Sequence, residues 1–231
     1  GDVTADELRP LAEKYYGSIA RADTPERTRP TEPPQRAERR VTYYDERVRQ
    51  PSWQQIYLAP SYVSGETKHA YALEVLSDIL GGGATSRLYR SMVIENKLAV
   101  GSGAYYSPDR LGPGVFGLYA SPRPGVSMED VESAIAAEIE KIMMGGVTQD
   151  EVARSVRSMK ASAIYARDSL TTGARVLGSA LTTGQTIVDV ESWPERIANV
   201  TTEDVMAAAK LVFNKRSSVT SLLLPETEKG E

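Results

Sequence analysis

Cysteine is absent from the 231 residues, histidine occurs once, and two phenylalanines stand against twelve tyrosines. Without cysteine there is no disulfide, no thiolate metal site and no cysteine nucleophile. Such a chain survives in reducing and oxidising surroundings alike. The compartment therefore stays open between cytoplasm and periplasm, with the periplasm as the expectation. The lone His69 is followed by Ala70, Tyr71, Ala72 and Leu73. A zinc site built on H-x-x-E-H needs a second histidine one turn away and a carboxylate beside it. That motif is missing. "TKHAYALEVLSDIL" is amphipathic at helical spacing, so His69 is expected to be an ordinary surface or packing residue of a helix. No apolar run is long enough to span a bilayer. Acidic residues outnumber basic ones, 31 to 27, which argues against a nucleic-acid surface, where the balance should be reversed.

What is present suffices for a compact core, since 41% of the residues are hydrophobic. "GDV" at the start reads as the end of a strand. "TADELRPLAEKYYGSI" then carries helix signals, with Thr4 as N-cap and Glu7 three positions on. Residues 21–40 are rich in Arg, Glu, Thr and Pro, a linker composition in which Pro33-Pro34 favours an extended path. A helix stranded beyond such a linker is expected to be the tail of an upstream domain (residues 1–20).

The main body is expected over 41–225, with 226–231 as a tail. "VTYYDERV" and "SWQQIYLAPSY" read as strands. Helices are expected at about 66–80 and 85–97, on either side of the triplet Gly81-Gly82-Gly83. Two strands follow, roughly 99–107 and 114–121, around the turn residues "PDRLGPG". Ser127 and Thr148 start two strong helices, the first closed by Gly145-Gly146. The carboxylates of the first are expected to form a solvated face. Further helices are expected over about 170–183, after Trp193-Pro194, and from Thr201 or Thr202. "SSVTSLLLP" closes the chain as a strand. The sum is an α+β fold, a two-layer sandwich of a largely antiparallel sheet packed by helices.

The Gly triplet is the most distinctive candidate for chemistry. A phosphate loop would require G-x-x-x-x-G-K-[ST], and a dinucleotide fingerprint a G-x-G-x-x-G that follows a strand. Neither is met. The residues fit a helix C-terminus with glycines in left-handed conformations and a Ser or Thr cap for the next helix. The pairs Tyr43-Tyr44 and Tyr105-Tyr106 are expected to pack one ring and expose the other, as strand alternation dictates.

"LGGGATSRLYRSMVIENKLAVGSGAYYSP" resembles the pitrilysin/insulinase-type zinc metallopeptidases, specifically their C-terminal half, which carries no zinc. "GDVTADELRPLAEKYYGSI" resembles the last strand and helix of that family's zinc-bearing half. "GVTQDEVARSVRSMKASAIYARDSLTTGARVLGSAL" and "VTTEDVMAAAKLVF" with "SVTSLLLPE" are similar to its later helices and final strand. The resemblance implies the fold shared by mitochondrial processing peptidase and the core proteins of respiratory complexes. It also implies a clamshell of two halves around a peptide, with zinc in the upstream half and no cofactor in this one.

Catalytically supporting halves of the family carry an Arg and a Tyr seven residues apart, which donate hydrogen bonds to developing oxyanion charge. Aligned on "SRLY" and "LA", those positions are Val93 and Val100, expected to lie close together at the surface facing the active half. Val cannot donate. The resemblance implies partners that supply what is missing: the zinc-bearing half, a paralogous subunit with the Arg/Tyr pair, and a peptide substrate. Arg87 and Tyr105 are candidates for lining the chamber, although Arg87 reads better as scaffold. The alternative is a structural or assembly subunit of the same fold without a proteolytic role. A small-molecule hydrolase built on His69 lacks triad context.

Overall fold

The computed structural model describes residues 2–23, 33 and 35–226. A first helix, α1 (Ala5–Tyr16), opens the chain, and strands β1 (Arg39–Asp45) and β2 (Ser52–Ala59) begin the body. A single 3₁₀ turn leads into α2 (Ala70–Gly81), then a short α3 (Arg87–Tyr89) that continues as a wider π turn over Arg90–Glu95. β3 (Ala99–Ser107) and β4 (Gly114–Pro122) follow, then α4 (Met128–Gly145), α5 (Gln149–Tyr165), α6 (Thr172–Thr182), α7 (Ile187–Ala198) and α8 (Thr202–Val212). β5 (Ser218–Pro225) returns to the sheet.

The sheet order is β1-β5-β2-β4-β3. β1 runs parallel to β5, and every other pairing is antiparallel. Alternation gives the sheet one dry face. Trp53, Tyr57 and Ala59 of β2, Phe116, Leu118 and Ala120 of β4, and Leu222 and Leu224 of β5 all point into the helix layer. α2 crosses that face and buries Leu73, Val75, Leu76, Ile79 and Leu80. Each fully buried side chain of this size contributes about 1.5–3 kcal/mol by removal from water. Gln55 is also inside, where it donates to Thr220 (3.2 Å) and accepts from the Tyr57 hydroxyl (2.7 Å). Among the described residues no buried side-chain nitrogen or oxygen lacks a partner.

Sequence signals set the helix starts. Thr4 with Glu7, Thr148 with Glu151, Thr186 with Asp189, and Thr201 with Asp204 each close a reciprocal capping box. Four expectations need correction. Asp2 and Val3 belong to no strand. The helix after the Gly triplet is α-helical for three residues only, and the π turn carries the rest. Pro194 lies inside α7 rather than ahead of a helix. The capping box at Thr186 starts that helix earlier, and proline removes a single internal donor. Finally, α4 does not present all its carboxylates to water. Glu138 is buried with Lys141 at 2.6 Å, and Glu132 accepts from the Trp53 indole at 2.8 Å. Half of the expected linker (24–32 and 34) lies outside the described residues, as do 227–231.

Candidate functional site

Helices cover one face of the sheet and leave the other open. The open face carries Val41 and Tyr43 of β1, Leu223 of β5, Leu58 of β2, and Val100 and Tyr119 of the β3–β4 hairpin, all exposed. Its four strands β5, β2, β4 and β3 present Val, Ser, Leu, Gln, Ile, Gly and Tyr there. Among the described strand residues the only charges there are Arg39 and Asp45, at the two ends of β1.

Glycines give this face its texture. Gly103 of β3 pairs with Tyr119 of β4, and Tyr105 pairs with Gly117. A Cβ at Gly103 would sit 2.7 Å from the Tyr119 hydroxyl, and one at Gly117 would overlap the Tyr105 ring. Both rings therefore lie along the sheet across their partner glycines. Gln54 of β2 fixes the Tyr105 ring by donating to its hydroxyl at 2.6 Å. Tyr106, one residue on, points the opposite way and donates to the Pro60 carbonyl at 2.5 Å. Tyr105 thus belongs to the open face. The register that lays the rings flat is not visible in a single strand's sequence.

The Gly triplet sits behind this face. Gly81 is the last residue of α2, Gly82 caps it, and Gly83 alone has positive φ, at 128°. Gly81 has a different duty. A Cβ there would overlap the backbone of Ala104 in β3, so glycine is what lets α2 end directly on the strand. Ser86 takes the N-cap position of α3, but its hydroxyl donates back to Gly83 O (2.7 Å) instead of capping.

Arg87 belongs to the helix layer and not to the open face. Its guanidinium grips Glu151 through Nε and Nη2 at 2.7 and 2.8 Å, and it reaches Gly146 O at 3.0 Å. The hydrogen bonds from Arg87, reinforced by the Thr148 backbone, hold the Glu151 carboxyl down at about 2. The pair thereby ties α3 to the start of α5.

Val93 and Val100 do not share a surface. Val93 is only 8% exposed and packs in the core, whereas Val100 is 51% exposed. The π turn explains the first, because its extra residue per turn brings Ser91, Met92 and Val93 inward and leaves Arg90, Ile94 and Glu95 outside. A bulge explains the second: the β3–β4 ladder slips between Ala99 and Gly101, which leaves Val100 unpaired. Arg123, just after β4, spans the two positions. It donates to Val93 O (3.3 Å) and to Ala99 O (3.2 Å). Sequence reasoning missed Arg123. Its one signal was a charged residue between two prolines, Pro122 and Pro124, at a strand end.

His69 occupies the N-cap position of α2, its ring mostly covered and 3.7 Å from Glu66. Among the described residues no group of three His, Cys, Asp or Glu side chains could hold a metal ion. The described residues do not fit a catalytic zinc. No helix is long and apolar enough to cross a membrane, again among the described residues.

Several curated zinc proteases are similar to this chain. An uncharacterized zinc protease of Streptomyces coelicolor is 34% identical over 152 residues, which is 64% of this chain and 32% of that protein. Zinc protease PqqE of Helicobacter pylori is 27% identical over 231 residues, 97% of this chain and 50% of the relative. A crystal structure of a protease from Helicobacter pylori superposes with a TM-score of 0.83 at 25% identity, over 97% of this chain and 53% of that one. The chain thus spans half or less of the length of these curated relatives. The family model described as "Peptidase M16 inactive domain" matches residues 1–159. The chain belongs to this family of inactive zinc-peptidase domains.

Proposed function

We propose that this chain is the non-catalytic half of a zinc protease and that the open sheet face forms one wall of its peptide chamber. The observation that carries this is the one-sided sheet: a broad, almost uncharged face with two tyrosine rings laid flat, which no helix among the described residues covers. An extended peptide on such a wall buries apolar side chains without desolvating a fixed charge. Zinc and the general base reside in a zinc-bearing half upstream or in a partner subunit. α1 is the last helix of that upstream half, carried over with the linker.

Val100 is exposed but carries no hydrogen-bond donor, and Val93 lies in the core, so in this reading the oxyanion support comes from a paralogous subunit bearing the Arg/Tyr pair. Loss of one such donor costs about a hundred- to a thousandfold in rate. The test is a quenched-peptide assay of the longer protein, with and without that paralogue. Weak activity alone and full activity together are expected. Full activity from the longer protein alone would overturn the division of labour. No activity in either case would favour a structural or assembly subunit.

A further inference from the structure

The exposed apolar surfaces of this chain differ in charge. The open sheet face is almost uncharged, and the stripe of α1 lies on a helix with Asp6, Glu7 and Glu13 against Arg9 and Lys14. Another such surface lies where α5 turns into α6. Ile164 and Tyr165 end α5 at 64% and 75% exposure, and Leu170 in the turn stands out at 86%. Val176 and Leu181 of α6 are exposed as well.

Cations crowd this corner. Between Glu151 and Asp189 the chain carries Arg154, Arg157, Lys160, Arg167 and Arg175 against a single acid, Asp168, although its net charge is -4. Arg154 acts on Asp78 of α2. Among the described residues the other four form no ion pair. Arg157, Ala161, Ile164 and Tyr165 recur at helical spacing on the face of α5 opposite the buried Val152 and Ser155. Arg167 and Arg175, both exposed, continue the charge through the turn and into α6. Solvated cations alone would need no apolar neighbours, and an apolar protein contact would be better served without so many like charges.

We propose that the α5–α6 corner seats on an anionic lipid surface. Interfacial helices have this chemistry: apolar and aromatic side chains enter the headgroup boundary while flanking Arg and Lys reach the lipid phosphates. Tyrosine is favoured at that depth, and the long cationic side chains cover apolar surface with their stems and keep their heads in water. A bilayer also accepts side chains that protrude, whereas a protein partner has to offer a fitted hollow for each. The corner belongs to the helix side of the sheet, so a chain seated in this way keeps its open face clear of the lipid.

The test is sedimentation with vesicles of phosphatidylcholine alone and with about 30% phosphatidylglycerol, at low salt and at about 0.5 M. The anionic vesicles should bind the chain at least about tenfold better, and salt should release it, because each cation near such a surface contributes about fivefold. Arg157→Glu and Leu170→Ser, both at exposed positions, should each weaken binding by about tenfold or more. Arg49→Glu makes the same change of net charge at an exposed position in the β1–β2 connection and should leave binding within about twofold. Equal binding to both vesicles, or none, overturns the proposal. So does an Arg49→Glu variant that loses as much as Arg157→Glu, since the effect would then be one of net charge. The same assay on the longer protein with its upstream half supplies the last arm. If that protein stays in solution where this chain sediments, the upstream half covers the corner and the surface is a domain interface instead.

Discussion

α1 and α2 are both twelve-residue helices with apolar side chains at helical spacing, yet they differ in almost everything else. α2 has no side-chain cap, but it buries seven residues and ends on a glycine pressed against β3. α1 has a complete capping box, acidic residues in its first turn and a lysine in its last, and it buries none. Leu8, Leu11, Tyr15, Tyr16 and Ile19 are all exposed. One helix is made by packing and the other by its own ends. A cap contributes about 1 kcal/mol, far less than a buried stripe, so local signals can draw a helix without giving it a home. The difference separates a helix that packs on this sheet from one that buries no side chain among the described residues.

The largest expected effect comes from the packed side. Gly81→Ala places a methyl group on the Ala104 backbone, and neither main chain can yield without moving helix or strand. We expect a loss of about 3 kcal/mol in urea unfolding, at the upper end for overpacking. A neutral result would mean that α2 does not need glycine to reach the sheet.

Next in size is the clamp between Arg87 and Glu151. Its two charges lie mostly out of water, so Arg87→Ala strands a half-buried carboxylate and should cost about 2 kcal/mol. Glu151 is held at about 2 in the fold against an ordinary 4.5. Its contribution is therefore complete above pH 4.5 and disappears as pH falls towards 2. Thermal melts of the wild type should show this acid-side loss, and Arg87→Ala should flatten it. An acid limb unchanged in the variant would assign it to other carboxylates.

Gly83→Ala is milder. The φ of 128° is strained for any side chain, but a Cβ there meets nothing within 4 Å. About 1 kcal/mol is expected, a third of the effect two residues earlier. Equal losses at Gly81 and Gly83 would show that the triplet acts as one turn instead of as a contact followed by a turn.

The sequence displayed what local chemistry encodes. Caps at Thr4, Ser127, Thr148 and Thr201, strands at "SWQQIYLA" and "SSVTSLLLP", and a largely antiparallel sheet all follow from patterns within a few residues. The family resemblance likewise rests on collinear motifs. What escaped depends on partners distant in the chain. The flat tyrosines need the pairing of Tyr105 with Gly117 and of Tyr119 with Gly103. The clasp of Arg123 needs a turn thirty residues earlier. Val93 was misjudged because "RSMVIE" fits an ordinary helix, and the π turn that buries it has no sequence signature.

The smallest expected effect is the one that makes the comparison decisive. Leu11 is half exposed in the middle of α1, so Leu11→Ala removes a side chain that touches little of this chain. In the 231-residue protein it should change unfolding by less than about 0.5 kcal/mol, within the range of surface substitutions. The same change in a longer protein that includes the upstream half should behave differently. If α1 is that half's last helix, its apolar stripe is buried there, and truncation costs about 2–5 kcal/mol. The measurement is one urea series in each protein. A core-sized loss in the short chain would place α1 on this body after all. Neutrality in both would mean that the upstream half does not cover the stripe. Only the combination, silent here and costly there, leaves α1 as the end of another domain.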